Sequence, residues 1–168
     1  MDSISDNRAL IAGVGNVFLS DDAFGATVIR RLAARTLDYG VHVADFGIRS
    51  VPLAYEILKK KYQTVIIVDA MSRGGAPGDL YVVDPSQDDG QEYEPTDSST
   101  MNSDDLVELL RKLSATPKRL LLIGCEPLKL EEDIGLSDPV NHAVEKAVEI
   151  ILETLAQQND GVSGSTKH

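Results

Sequence analysis

The sequence predicts an α/β fold: a three-layer sandwich on a mostly parallel twisted sheet of about five strands, with helices on both faces. Three observations carry this expectation. Short apolar runs alternate with helix-period amphipathic segments along the 168 residues. Thr64 to Val68, TVIIV, is a continuous β-branched run, the pattern of a central parallel strand buried on both faces. An earlier run, Ala9 to Ala12, ends in Gly13-Val14-Gly15-Asn16 and leads to Asp21-Asp22 and an apolar-periodic segment. Strand, glycine turn, carboxylates and helix in that order place two acids outside the carboxyl end of a strand, where α/β sheets keep their chemistry.

The first strand is expected over Arg8 to Ala12, after a loose polar start from Met1 to Asn7. Gly13 and Gly15 allow a tight turn, and Asn16 tolerates a left-handed backbone there. The helix after Asp22 shows Phe24, Val28, Ile29 and Leu32 at helical spacing. Arg30, Arg31 and Arg35 lie toward its end, which suits the helix dipole. Val41 to Phe46 is the second strand, and Gly47 to Ser50 a turn. The next helix starts near Ser50, with Pro52 in its first turn and Leu53, Ile57 and Leu58 on one face. Thr64 to Val68 ends in Asp69. The loop MSRGGAPG then leads to a strand over Asp79 to Val83, and a connection that short favours an antiparallel pair.

Asp84 to Ser103 is polar and acidic, with no Lys or Arg from 74 to 110, and reads as a solvated loop over most of its length. Ser103 caps a helix with Asp104 and Asp105 in its first turn and Leu106, Leu109, Leu110 and Leu113 inward. Arg119 to Ile123 is the last strand. The final helix carries Val140, Val144, Val148, Ile151, Leu152 and Leu155 at helical spacing. Residues 8–156 form one domain on this reading, and the stretches 1–7 and 157–168 are flexible ends.

Charge and composition narrow the function. A formal net charge of -11 disfavours nucleic-acid and anionic-membrane surfaces, which need clustered Lys and Arg. No apolar run is long enough to span a bilayer, and no signal segment opens the chain, so a cytoplasmic location is expected; a monomer is expected as well. The single cysteine, Cys125, excludes an intrachain disulfide framework; after LLLIG it reads as a small buried hydrophobe rather than a nucleophile. The glycines make a weak nucleotide signature, because position 18 is Phe and no Lys-Ser pair follows. Asp21 and Asp22 have two open roles, capping a helix or carrying chemistry. Arg49, in the turn after the second strand, is equally open between a surface ion pair and a substrate contact.

The patterns GVGNVFLSDDAFG, DFGIRS, VIIVDAMSRGGAPGDLYV, LLLIGCEP and IGLSDPV together resemble the hydrogenase maturation proteases, from about Arg8 to Leu155. That resemblance implies an endopeptidase that removes the C-terminal extension of a nickel-loaded [NiFe] hydrogenase large-subunit precursor. It implies nickel presented by the substrate rather than a resident catalytic metal. It makes Asp22 and Asp69 the catalytic and metal-contacting acids; beside it, Asn16 and Arg49 are the candidate substrate contacts. The family's metal-contacting histidine falls on Ser99, or on Met101 under the other matching of the motif. No histidine occurs from 72 to 141; the chain's histidines are His42, His142 and His168. Nickel favours some nitrogen or sulfur, so a site with oxygen alone, or oxygen and a thioether, departs from the family pattern. An alternative follows from that departure: a non-catalytic hydrogenase-assembly protein on the same scaffold.

Overall fold

A computed structural model describes residues 8–48, 50–87 and 103–166. Strand β1 (Ala9–Val14) leads through a 3-10 turn (Ser20–Ala23) into helix α1 (Phe24–Ala33). Strand β2 (Val41–Gly47), helix α2 (Ser50–Lys60) and strand β3 (Thr64–Ala70) follow. Then come β4 (Leu80–Val83), a 3-10 turn (Pro85–Gln87), α3 (Ser103–Lys112), β5 (Arg119–Cys125) and α4 (Asp138–Thr166).

The sheet has five strands in the order β2-β1-β3-β5-β4. All neighbours are parallel except β4 and β5, which run antiparallel, as the short connection after Asp69 requires. Two apolar layers sandwich it. On one face Phe24, Val28, Ile29 and Leu32 of α1 and Val140, Val144, Val148 and Ile151 of α4 pack with Ile11, Ile66 and Ile123. On the other, Leu53 and Ile57 of α2 and Leu106, Val107 and Leu110 of α3 pack with Leu10, Ile67 and Leu122. Burial of β1 and β3 on both faces explains their unbroken apolar character.

Three local expectations are corrected. Leu58 is exposed, and Ala54 takes the inward place beside Leu53 and Ile57, because the buried stripe follows three- and four-residue steps. Leu113 is exposed because α3 ends at Lys112, one residue before it; Val107 fills the core instead. Helix α4 runs on past Gln157 to Thr166, through a stretch with no apolar stripe. Adding residues to an established helix needs no new nucleus, so the backbone continues where the side chains give no reason to.

Candidate functional site

The strand order changes direction between β1 and β3. The connection from β1 leads to one side of the sheet and the connection from β3 to the other, which opens a crevice at their carboxyl ends. Asp69 is the penultimate residue of β3, and Asp22 lies in the 3-10 turn after β1. Helix α1 is seated directly on this edge. A Cβ on Gly25 would collide with the carbonyl oxygens of Val68 and Val14, and one on Gly13 with the backbone of Gly25. Both glycines are therefore required by close backbone approach.

Asp69 is buried at 4% exposure. It accepts hydrogen bonds from the Ala70 N–H and from the N–H and hydroxyl of Ser103, the first residue of α3. Burial, and then the negative charge of Asp22, push its carboxyl well above the ordinary range, against these bonds. Asp22 is half-buried, and burial raises its carboxyl as well, opposed by the Asn16 N–H, which donates to Oδ2 at 2.8 Å. The two acids thus share one electrostatic site at the crevice. The charge of Asp22 disfavours ionisation of Asp69, and burial disfavours ionisation of both, which is the condition under which a pair holds a proton or a cation.

Asp21 turns the other way. It is fully buried, and its carboxylate accepts from the N–H groups of Ser137 (2.7 Å), Leu128 (2.8 Å) and Lys129 (3.1 Å) and from the Ser137 hydroxyl (2.8 Å). Burial alone would raise this carboxyl, but together these donors hold it below its ordinary value. Neither acid caps α1, whose N-terminus has no side-chain cap. The turn carrying them is tight. Gly15 has φ +131° and Ser20 has φ +51°, so Ser20, not Asn16, is the residue without glycine's freedom that adopts a left-handed backbone. Its N–H donates to the Asp133 carbonyl (3.0 Å) and its hydroxyl to the Glu131 carbonyl (2.7 Å).

A third buried acid, Glu126, was not among the residues singled out from the sequence. Its Oε1 accepts from the Tyr81 hydroxyl (2.6 Å) and from the N–H groups of Arg73 (2.8 Å) and Gly75 (3.0 Å). Burial raises this carboxyl, yet the donors outweigh it and hold it below its ordinary value, while the Tyr81 hydroxyl is pushed up to about 12. Glu126 thereby fixes the glycine-rich loop that follows Asp69. From that loop Arg73 reaches Asp104, beside Ser103 (3.6 Å). The available sequence signal was an acid directly after the apolar strand LLLIGC.

The other candidates separate clearly. Cys125 is buried, and its thiol is pushed up to about 12, first by burial and then by the charges of Asp21, Glu126 and Asp79. That state is unsuited to a nucleophile. His142 is exposed on α4 and bonds the Asp138 carbonyl (2.7 Å); His42 packs edge-on against Tyr62. Arg49, Ser99 and Met101 lie outside the described residues. Among the described residues, no group of three or more His, Cys, Asp or Glu side chains is placed to hold a metal ion, and no helix is long and apolar enough to cross a membrane. A cavity of about 160 Å³ lies between the segments 84–86 and 116–120, at the opposite edge of the sheet from Asp22 and Asp69.

Comparison with known proteins gives a consistent picture. A family model described as hydrogenase maturation protease matches residues 26–154, a stretch that includes Asp69 and begins just after Asp22. The chain is 30% identical over 153 residues to the hydrogenase 2 maturation protease of Escherichia coli, covering 89% of this chain and 92% of that protein. The structure is similar to the E. coli hydrogenase maturating endopeptidase HybD, with TM-score 0.73, 27% identity and coverage of 90% and 93% of the two chains. It is equally similar to the [NiFe] hydrogenase maturation protease HycI of Thermococcus kodakarensis, with TM-score 0.73, 27% identity and coverage of 92% and 99%.

Proposed function

Because the chain belongs to the hydrogenase maturation protease family, we propose that this endopeptidase removes the C-terminal extension of a nickel-loaded [NiFe] hydrogenase large-subunit precursor, and that Asp22 and Asp69 carry the reaction. The assignment is supported by the positions of the two acids, in the turn after β1 and at the end of β3, and by the burial of Asp69 against the charge of Asp22. A buried acid pair is unfavourable unless it meets a proton or a cation. Two carboxylates are too few to enclose a metal, and oxygen alone suits nickel poorly. The pair is therefore suited to reading a nickel ion that arrives with most of its ligands supplied by the substrate. Asn16 donates its N–H to Asp22; Asn16 and Arg49 keep their proposed roles as substrate contacts, and Ser99 as occupant of the histidine position.

The chemistry follows from the pair. With the substrate's metal neutralising one carboxylate, the other is free to take a proton from an attacking water and return it to the departing amine, which is aspartic-type general acid–base hydrolysis. Family membership does not favour the non-catalytic assembly alternative. The supporting features for cytoplasmic action as a monomer are the charge and the lack of a spanning helix among the described residues.

Mass spectrometry of a nickel-loaded precursor, with and without this protein, tests the reading. Wild type is expected to shorten the precursor, Asp69→Asn to leave it intact, and nickel-free precursor to remain uncut. Cleavage by Asp69→Asn at the wild-type rate would remove Asp69 from the mechanism. Ser99→His is expected to tighten nickel binding by the free protein by about tenfold or more, measured by calorimetric titration. Equal affinities would show that Ser99 is not at the metal.

A further inference from the structure

The acids use only the inner side of the loop that follows β1. The outer side of that loop runs alongside the segment after β5. Ser20 N–H bonds the Asp133 carbonyl (3.0 Å), Asp133 N–H the Phe18 carbonyl (3.1 Å) and Asp21 N–H the Lys129 carbonyl (3.3 Å). From these two segments Val17, Phe18, Leu128, Leu130 and Ile134 stand out from the surface, Phe18 at 65% and Ile134 at 78% exposure. Isolated exposed apolar side chains need no explanation, but a cluster on two mutually bonded segments marks an interaction surface. The cluster adjoins the crevice, since Asn16, two residues before Phe18, holds Asp22. Its border is acidic: Glu131, Glu132 and Asp133 stand against Lys129, which pairs with Asp133 (3.5 Å).

We propose that this surface docks the precursor, binding a segment close to its scissile bond that carries apolar side chains flanked by lysine or arginine. The proposal deepens the protease assignment of Asp22 and Asp69 and rests on it. The occupant follows from position and charge. A chain with its scissile bond at Asp22 leaves the crevice across the neighbouring loops, and this pair forms one border of it. A second copy of this protein would set acidic border against acidic border on chains of net charge -11 each. The surface is also preformed. The Asp21 carboxylate and the Ser20 hydroxyl lock the two segments together, so little ordering is required on binding. An apolar centre with a charged border is the anatomy of a protein interface.

The test measures binding and turnover separately. Nickel-free precursor is titrated into the otherwise wild-type protein, followed by fluorescence anisotropy. Phe18→Asp and Ile134→Asp are each expected to weaken Kd at least tenfold. The double substitution Glu131→Lys, Glu132→Lys is expected to weaken it and to flatten its dependence on salt. Tyr39→Asp, 95% exposed before β2 at the opposite edge, is expected to leave Kd unchanged. With nickel-loaded precursor, Phe18→Asp is expected to raise KM while kcat stays within about twofold. Circular dichroism melts confirm folding of each variant; should one fail to fold, Phe18→Ser and Ile134→Ser replace it. Unchanged Kd for both apolar substitutions overturns the proposal, as does an equal loss with Tyr39→Asp or no precursor binding at all. Phe18→Asp that dissociates a homodimer without altering precursor Kd overturns it in favour of self-association. The catalytic assignment fails separately, if wild type binds nickel-loaded precursor with the predicted dependence on Phe18 and never cuts it.

Discussion

Asp21 and Asp22 are adjacent residues of one chemistry in opposite surroundings, and their substitutions should behave oppositely. Asp21→Asn places an amide against three backbone donors and a hydroxyl, and is expected to lower stability by about 2–3 kcal/mol or more in urea unfolding. Asp22→Asn can keep its one backbone bond through the amide oxygen and loses only the charge, so it is expected to stay within about 1 kcal/mol of wild type and should lose cleavage. Asp69→Asn has a third pattern. The folded-state carboxyl is raised, so its ionised form opposes folding at neutral pH, and that opposition fades as pH falls toward the ordinary carboxylate range. The variant should therefore melt no lower than wild type near pH 7 while losing activity. Glu126 has the reverse sign. Its folded value is depressed, so the stability it adds is present above its ordinary value of 4.5 and is lost as pH drops through the folded value. The Tm gap between wild type and Glu126→Gln should be widest near neutrality and close in acid. The sequence places Asp22 and Asp69 at strand ends, which was enough to bring them to one edge. It could not show that Asp21 points inward, because the direction of each side chain is set by the 3-10 turn and by a partner segment more than 100 residues away.

At the scale of elements, α1 positions the site through backbone contact. Gly25→Ala places a methyl group against the Val68 and Val14 carbonyls, which belong to two strands and have no flexible end to move aside. The helix must lift from the sheet and carry the preceding turn, with Asp22, away from Asp69. Overpacking of this kind costs about 1–3 kcal/mol, and the displacement should lower kcat well beyond what that loss of stability alone would produce. A thermal melt and a cleavage assay on the same sample check both parts. Strand identity, the antiparallel edge and the inward stripes were legible in the sequence because period and β-branching report burial directly. Their ends were not: β3 and β5 extend to Ala70 and Cys125, past the apolar runs, because the hydrogen-bond ladder continues after the hydrophobic pattern stops. Gly13 read as a turn glycine, whereas the structure gives it to helix–sheet contact; a single chain cannot reveal which neighbour a missing side chain makes room for.

Across the whole molecule, the edge that carries Asp22 and Asp69 is assembled from parts of unequal anchorage. β1 and β3 each have a hydrogen-bonded neighbour on both sides, whereas among the described residues β4 is bonded to β5 alone and spans Leu80–Val83. The glycine-rich loop joins Asp69 to this edge strand, and Glu126 ties loop and strand together through the Arg73 and Gly75 N–H groups and the Tyr81 hydroxyl. The crevice thus has one side on doubly paired central strands and continues into a loop that leads to the edge strand, where local opening is expected to cost less. In deuterium-exchange mass spectrometry, residues 72–83 should take up label as a single cooperative unit, well ahead of β1 and β3. Glu126→Gln should speed that unit selectively and leave the central strands at their wild-type protection. Access of a bulky precursor to Asp69 would then be governed by a local opening free energy rather than by the global stability of the fold.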